Sequence, residues 1–385
     1  MDKDEQRAIL ETVGRFAREI VRPRAAEIDR TAQFPRDIYE AAGRLGLFGL
    51  WIPPDYGGSG PDMETPLRIS ERLARESAAV SLIYSNCGDA TTPIVQGGSE
   101  AVKRKYLPGI AAGRLIPCFC LSEPQSGSDA ASIVTRAVRD GDHYVISGRK
   151  AWCTNGQVGD VYTVFAKTDP DAGHKGVSAF VVPRDAAGFT RGRDEELLGL
   201  KGSPTTPLYF DNVRVPVENR LGAEGEGFKL AMASLDEARL NCSAMALGVA
   251  TAALDVAVVY AKERIQFAKP IIQHQGLQFL LASMTAELAA ARAIWDQAIA
   301  MLAAEHSKRA STYAAMAKLV TTDAAMRITT DAVQAMGGNG LSKAYPVERM
   351  MRDVKAFQIF DGSNEIQKML IGRYLDKSGL PFELD

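Results

Sequence analysis

The sequence predicts an α+β chain of several domains, helical at both ends with a β region between. Three observations carry this. A chain of 385 residues exceeds what one hydrophobic core supports. Apolar residues recur at helical spacing in the first and last thirds. In the middle the pattern changes to short alternating β-branched and aromatic runs. The changes of period place an N-terminal helical domain at 1–117, a central β domain at 118–224 and a C-terminal helical domain at 225–385.

Each part has its own signals. The first is broken by the turn-rich stretch Pro53-Pro54-Asp55-Tyr56-Gly57-Gly58-Ser59-Gly60-Pro61, and Leu47, Leu50 and Ile52 read as a buried segment entering it. In the second, runs starting at His143, Val161, Val177 and Leu208 are separated by Asp-Gly, Asp-Pro and Gly-containing turns, the pattern of a small all-β domain. In the third, Leu247, Leu254, Val258 and Ala261 share a face, as do Leu277, Leu281, Met284, Leu288, Ala291 and Trp295. These are long helices of the kind that pack as a bundle. The Gly337-Gly338-Asn339-Gly340 cluster ends one of them and opens a loop.

Composition narrows the function classes. Hydrophobic residues make up 46% and charged residues 24%, so disorder is excluded. Lys plus Arg is 45 against 47 for Asp plus Glu, a net charge of −2, which gives no electrostatic case for nucleic acid or an anionic membrane. The acidic start MDKDEQRAIL is unlike a signal or transit peptide, and no run of about 18 apolar residues predicts membrane insertion. Five scattered cysteines (Cys87, Cys118, Cys120, Cys153, Cys242) read as reduced thiols of a cytoplasmic protein. Cys118-Phe-Cys120 has no second pair at ligand spacing, so no metal is expected.

Five segments stand out, each with an ordinary structural explanation. Leu121-Ser122-Glu123-Pro124-Gln125-Ser126-Gly127-Ser128-Asp129 reads as a surface turn, or as a nest of N–H groups for a pyrophosphate. Trp152 and Thr154, after an alternating strand, read as core, or as a platform and a hydroxyl for a flat ring. Lys262 to Pro270, followed by Gln273-His274-Gln275, reads as a charged helix end stopped by Pro270. Asp331 to Gly340 reads as a glycine-capped helix end. Phe360-Asp361-Gly362-Ser363-Asn364-Glu365 reads as a helix start, with Asp361 or Ser363 as cap and Glu365 in the first turn.

In this order and spacing the five segments resemble the acyl-CoA dehydrogenase family over nearly the whole chain. The resemblance implies an N-terminal helical domain, a central β-barrel-like domain and a C-terminal four-helix bundle. It implies FAD as cofactor, with Phe119, Leu121, Ser122, Gly127 and Ser128 against flavin, ribityl or phosphate, and Trp152 and Thr154 lining the isoalloxazine. Arg264, Phe267, Gln275, Gln334, Gly337 and Gly338 would hold the diphosphate and adenosine of a partner subunit's FAD. Ser363 and Glu365 would reach the adenosine end. Asp236 and Arg239 match CoA contacts, with Ser128 and Gly362 also beside the substrate. It further implies a homotetramer built as a dimer of dimers, and an electron-transfer flavoprotein as acceptor.

The chemistry implied is α-proton abstraction from a thioester polarised by the ribityl hydroxyl and the base residue's own N–H, with hydride transfer to flavin N5. This chain carries Asp361 where most of the family has Glu. That shorter arm suits an α-carbon held closer, as in branched or alicyclic acyl groups such as cyclohexane-1-carboxyl-CoA, whose dehydrogenases also carry Asp here. It also fits a nitroalkane-oxidase-like flavin oxidase, or a catalytically silent flavin- and CoA-binding protein. Ala238 stands where isovaleryl-type members place their base, leaving Asp361 as the only motif-matched one. A second acid, Asp89, reads as an ordinary helix or turn residue, or as a group meeting a ring carbon of a cyclic substrate. Gln125 and Ala268 replace glycines usual in the family.

Overall fold

The computed structural model describes residues 2–60, 63–305 and 307–382; Pro61, the end of the turn-rich stretch, lies outside them. The N-terminal part comprises α1 (Lys3–Phe16), α2 (Ala25–Thr31), α3 (Arg36–Arg44), α4 (Glu64–Ala74), α5 (Ala78–Gly97) and α6 (Glu100–Ala111). Helix α1 starts in a reciprocal capping box between Asp2 and Glu5, and Ser77 caps α5. Leu47, Leu50 and Ile52 are buried as expected. The turn after them needs Gly58, where a Cβ would sit 1.8 Å from the Ile52 carbonyl oxygen.

Helix α5 is the centre of this part. Residues 78–94 are buried on every side, including Ser81, Ser85, Asn86, Asp89, Thr91 and Thr92. Polar side chains in such a position need partners from neighbouring elements. Ser81 donates to the Ser70 carbonyl (2.6 Å), and Ser70 donates to Asn241 (2.9 Å).

The central part is one mixed sheet of eight strands: β1 (Pro117–Cys120), β2 (Arg136–Asp140), β3 (His143–Thr154), β4 (Val161–Lys167), β5 (Val177–Pro183), β6 (Phe189–Arg191), β7 (Thr205–Pro216) and β8 (Arg220–Leu221). Its order is β6-β7-β3-β2-β4-β5-β8, with β1 pairing parallel to β4. The four expected runs fall in β3, β4, β5 and β7. The sequence pattern did not single out β1, β2, β6 or β8. Arg136–Asp140, with one buried residue of five, lacks the apolar alternation that marks a strand.

The C-terminal part consists of α7 (Gly227–Glu263), a hairpin of β9 (Ile265–Gln266) and β10 (Lys269–Pro270), α8 (Gln275–Ala304), α9 (Lys308–Met336), α10 (Val347–Phe357) and α11 (Asn364–Ser378). Helix α7 packs on α4 and α5 as well as α8 and α9, joining the two helical parts. It ends at Glu263, so Pro270 does not stop it; that proline closes the hairpin instead. The hairpin turn puts Phe267 and Ala268 at φ 55° and 62°, the left-handed pair that a two-residue turn demands. Gly337 (φ 58°) ends α9 as expected and leads into a 3₁₀ turn. Helices α7 and α8 are both long and apolar enough to cross a membrane by length and composition. The apolar stretch of α7 is mostly buried in the fold, whereas little of that of α8 is buried.

Candidate active site

Asp361 sits in the short loop between α10 and α11, at φ 54° and followed by Gly362 at φ 83°. A non-glycine residue in that region is strained, although Asp tolerates it better than most, and such strain concentrates at functional positions. The loop is pinned from several sides. Lys318 Nζ on α9 donates to the Gly362 carbonyl and to Asn364 Oδ1, both at 2.9 Å. Gln367 donates to the Gly362 carbonyl (2.7 Å), and Asn364 donates to Asp323 (2.7 Å). Of the two caps expected for α11, the structure places Ser363 at the start of the helix, with Glu365 in its first turn as expected. Ser363 occupies the cap position without a side-chain cap bond, and Asp361 lies outside the helix. Among the described residues the Asp361 N–H donates to no other group.

Burial pushes the Asp361 carboxyl up to about 7, against the opposing pull of Lys318 and Arg239. Burial also moves the Lys318 ammonium below its ordinary range. Arg239, buried on α7, is ion-paired with Asp236, which Ser311 also holds (2.7 Å). Its Nε is a buried donor without a partner, so the pair leaves one charged N–H to spare.

Asp89 faces this group from α5. Pro93 lacks the N–H that would bond the Asp89 carbonyl in a regular helix. Ser234 on α7 donates to that carbonyl instead, at 2.5 Å. The Asp89 carboxyl is buried, with Oδ1 unpartnered. Burial, then the charges of Asp361 and Glu237, drive it well above the ordinary carboxylate range. Glu237 accepts a hydrogen bond from Thr92 (3.0 Å) and is itself pushed by burial to about 7. Three carboxyl groups and two cations thus converge where α5, α7, α9 and the Asp361 loop meet.

A second group of expected residues gathers where β1 runs out beside β3. The Ala151 N–H donates to the Ser122 carbonyl (2.9 Å), fastening the 121–129 loop to that strand. Beneath it lies an ion pair of Lys150 and Glu123 (2.7 Å) with both side chains essentially inaccessible. Burial opposes ionisation of Glu123, but Lys150 and the Thr135 and Val134 N–H groups outweigh it and hold the carboxyl low. Gln125 adds a bond to the same carboxylate (2.7 Å). On β3 just beyond this base Trp152 stands 61% exposed at φ 60°, where the β3–β7 register slips, with Thr154 two residues on. A Cβ on Gly127 would meet no heavy atom within 4 Å. An exposed aromatic beside an open, firmly founded loop fits a flat ring carrying phosphates.

The remaining expected residues cluster elsewhere. Arg264, Phe267 and Gln275 lie at the hairpin, and Gln334, Gly337 and Gly338 at the end of α9. Asn339 donates to Tyr260 (2.8 Å), joining the turn after α9 to the last turns of α7. Phe267 is 90% exposed, and Gly337 and Gly338 have open space around them. Among the described residues no hydrogen bond or ion pair links this cluster to the Trp152 face. Glu365 is exposed at the start of α11.

The sequence reading missed Lys318, Glu237 and Thr92. The signal for Lys318 was a single lysine inside the apolar Ala314-Ala315-Met316-Ala317-Lys318-Leu319-Val320 run, and Glu237 lay between Asp236 and Arg239.

Comparison with known proteins identifies the family. Family models for the acyl-CoA dehydrogenase N-terminal, middle and C-terminal domains match residues 3–114, 118–213 and 225–375. An acyl-CoA dehydrogenase of Bacillus subtilis is 43% identical over 96% of this chain and 98% of its own. The cyclohex-1-ene-1-carbonyl-CoA dehydrogenase of Geobacter metallireducens is 42% identical over 97% and 98%. The solved butyryl-CoA dehydrogenase of Megasphaera elsdenii superposes with a TM-score of 0.94 at 38% identity, covering 98% of this chain and 100% of that one. The chain belongs to the acyl-CoA dehydrogenase family of FAD-dependent oxidoreductases.

Proposed function

We propose that this enzyme removes the α and β hydrogens of a short, branched or alicyclic acyl-CoA, with cyclohexane-1-carbonyl-CoA as the type substrate and Asp361 as the α-proton base. FAD, when bound, supplies the acceptor for the β-hydride. The observation that carries the reading is Asp361 itself: a carboxyl on a strained, pinned loop whose burial brings it to about 7, near the pH at which a general base works best. Its arm is one methylene shorter than Glu, so the α-carbon must lie closer. A tertiary ring carbon suits that placement better than a straight chain. The free N–H of Asp361 is available to polarise the thioester carbonyl. The spare Nε of Arg239, beside Asp236, suits the CoA portion and weighs against a nitroalkane substrate.

The flavin reading assigns Phe119, Leu121, Ser122, Gly127, Ser128, Trp152 and Thr154 to one subunit's FAD. Arg264, Phe267, Gln275, Gln334, Gly337 and Gly338 would close on the FAD of a neighbour. The exposure of Phe267 and of the apolar stretch of α8 supports a homotetramer in which these surfaces are covered. Electrons would leave to an electron-transfer flavoprotein, in the cytoplasm. A second reading, favoured by the unpartnered buried Oδ1 of Asp89, has that carboxyl meet a ring carbon of the acyl group.

The test is anaerobic titration with butyryl-, octanoyl-, isobutyryl- and cyclohexane-1-carbonyl-CoA, following flavin absorbance. The alicyclic or branched thioesters should bleach the flavin fastest. Preference for octanoyl-CoA, or oxygen consumption with nitroethane and no bleaching by any thioester, would overturn the reading.

A further inference from the structure

Helices α5 and α7 cross through two matched stripes. On α5 they are Ser85, Asp89 and Thr92, and on α7 Ser234, Glu237, Asn241 and Met245, spaced at three and four residues so that each set shares a face. The hydrogen-bonded pairs are Ser85 with Met245, Ser234 with the Asp89 carbonyl, and Thr92 with Glu237, and Asn241 acts on the Asp89 carboxyl. Asp89 and Glu237 are therefore neighbours on opposite sides of one crossing, one α5 turn apart. No cation on either stripe neutralises them.

From this geometry we infer that Asp89 and Glu237 act as a single proton-sharing carboxyl pair, in which Glu237 is a positioning residue that decides which form of Asp89 faces the acyl group. The inference rests on the reading of this recess as the acyl pocket. Its physical basis is that two carboxylates side by side in a desolvated crossing do not both ionise readily, so the first charge taken holds the remaining proton in place. Thr92 anchors Glu237 through Oε2, and Asn241 acts on the Asp89 carboxyl in favour of its ionised form while Oδ1 stays unpartnered. The other groups facing the pair are Asp361 from the α10–α11 loop, Asp236 and Arg239 from α7, Lys318 from α9, and the thiols of Cys87 and Cys242. Asp361 and Asp236 reinforce the retention of the proton. Arg239 pairs with Asp236 and Lys318 with the Gly362 loop, and among the described residues neither cation forms an ion pair or hydrogen bond with Asp89 or Glu237.

The consequence is chemical. With one shared proton the pair carries a single negative charge. If a second ring C–H is broken, its proton enters the pair, which becomes neutral, while the hydride from the adjacent carbon passes to oxidised flavin and a C=C bond forms. The pocket then need not hold an isolated charge. With Glu237 ionised and no acyl group present, Asp89 instead keeps its proton and offers the pocket a neutral hydrogen-bond donor.

Difference infrared titration of the FAD-loaded enzyme without substrate reads this directly, through the carbonyl stretch of protonated carboxyl groups in wild type, Asp89→Asn and Glu237→Gln. The band lost in Asp89→Asn should persist through neutral pH in wild type. In Glu237→Gln its midpoint should fall by about one pH unit or more, the scale of coupling between interacting sites. Asp89→Asn should lower the Glu237 midpoint in turn. An Asp89 midpoint unmoved by Glu237→Gln would overturn the pair. Because no thioester is present, that failure is separate from a failure of the acyl-CoA reading, which the flavin titration decides.

Discussion

Replacing Asp361 with Asn should trade activity for stability, with opposite dependences on pH. The Asp361 carboxyl ionises at about 7 in the fold, against an ordinary value of 3.8. Its folded pKa is therefore raised, so the folded state holds the proton more tightly. Stability contributed by the protonated form is present below about pH 4 and is lost as the pH rises through about 7. The full shift corresponds to a ceiling of about 4 kcal/mol, and the partial exposure of the residue discounts it to about 1–2 kcal/mol. Asp361→Asn should gain about that much at pH 8 and almost nothing at pH 4, read from urea midpoints of the FAD-loaded proteins. In wild type the rate of anaerobic flavin reduction should rise about tenfold from about pH 6 to about pH 8 and then level, because only the carboxylate accepts a proton. A flat profile, or an Asn variant no more stable at pH 8 than wild type, would refute the assignment of a costly ionised base at this position.

Three further outcomes follow from other contacts. Lys318→Met removes a cation that favours Asp361 ionisation and strips the Gly362 carbonyl of a donor; the reduction profile should move to higher pH and stability should fall by about 1–3 kcal/mol, measured by stopped flow and urea unfolding. Lys150→Met strands a buried Glu123 and should cost about 3–5 kcal/mol, with FAD lost on gel filtration because the 121–129 loop loses its base. Ala268→Gly relieves a left-handed alanine in the hairpin turn and should raise thermal stability by about 1 kcal/mol without altering the flavin spectrum.

The helical parts were legible because apolar residues recur at helical spacing along α7 and α8, and Leu247, Leu281, Met284 and Trp295 are buried where that spacing puts them. Strands β3 and β7 were legible by partial alternation, and β4 and β5 as β-branched and aromatic runs that are buried almost throughout. Strand β2 was not, since a largely solvent-facing run of Arg and Asp carries no pattern and is held by its neighbours. The end of α7 was misplaced because Pro270 is a strong breaker, whereas the chain had already turned at Arg264 into a hairpin too short to show a period. Asp361 was visible as a residue type, but its φ belongs to the loop, and its raised carboxyl comes from burial by surrounding helices that outweighs the pull of Lys318 and Arg239 from α9 and α7. Glu237 was overlooked for a related reason. Its significance depends on Thr92 and Asp89, which lie about 145 positions away in sequence and one helix crossing away in space.

The central claim is that Asp361 is the base, and single-turnover reduction with cyclohexane-1-carbonyl-CoA tests it most directly. Wild type and Asp361→Asn, both loaded with FAD, would be mixed anaerobically with the thioester and followed at the flavin band. The account predicts that FAD stays bound in the variant while reduction slows by about 10²- to 10⁴-fold, the range for a lost general base. Reduction at the wild-type rate in Asp361→Asn would contradict it.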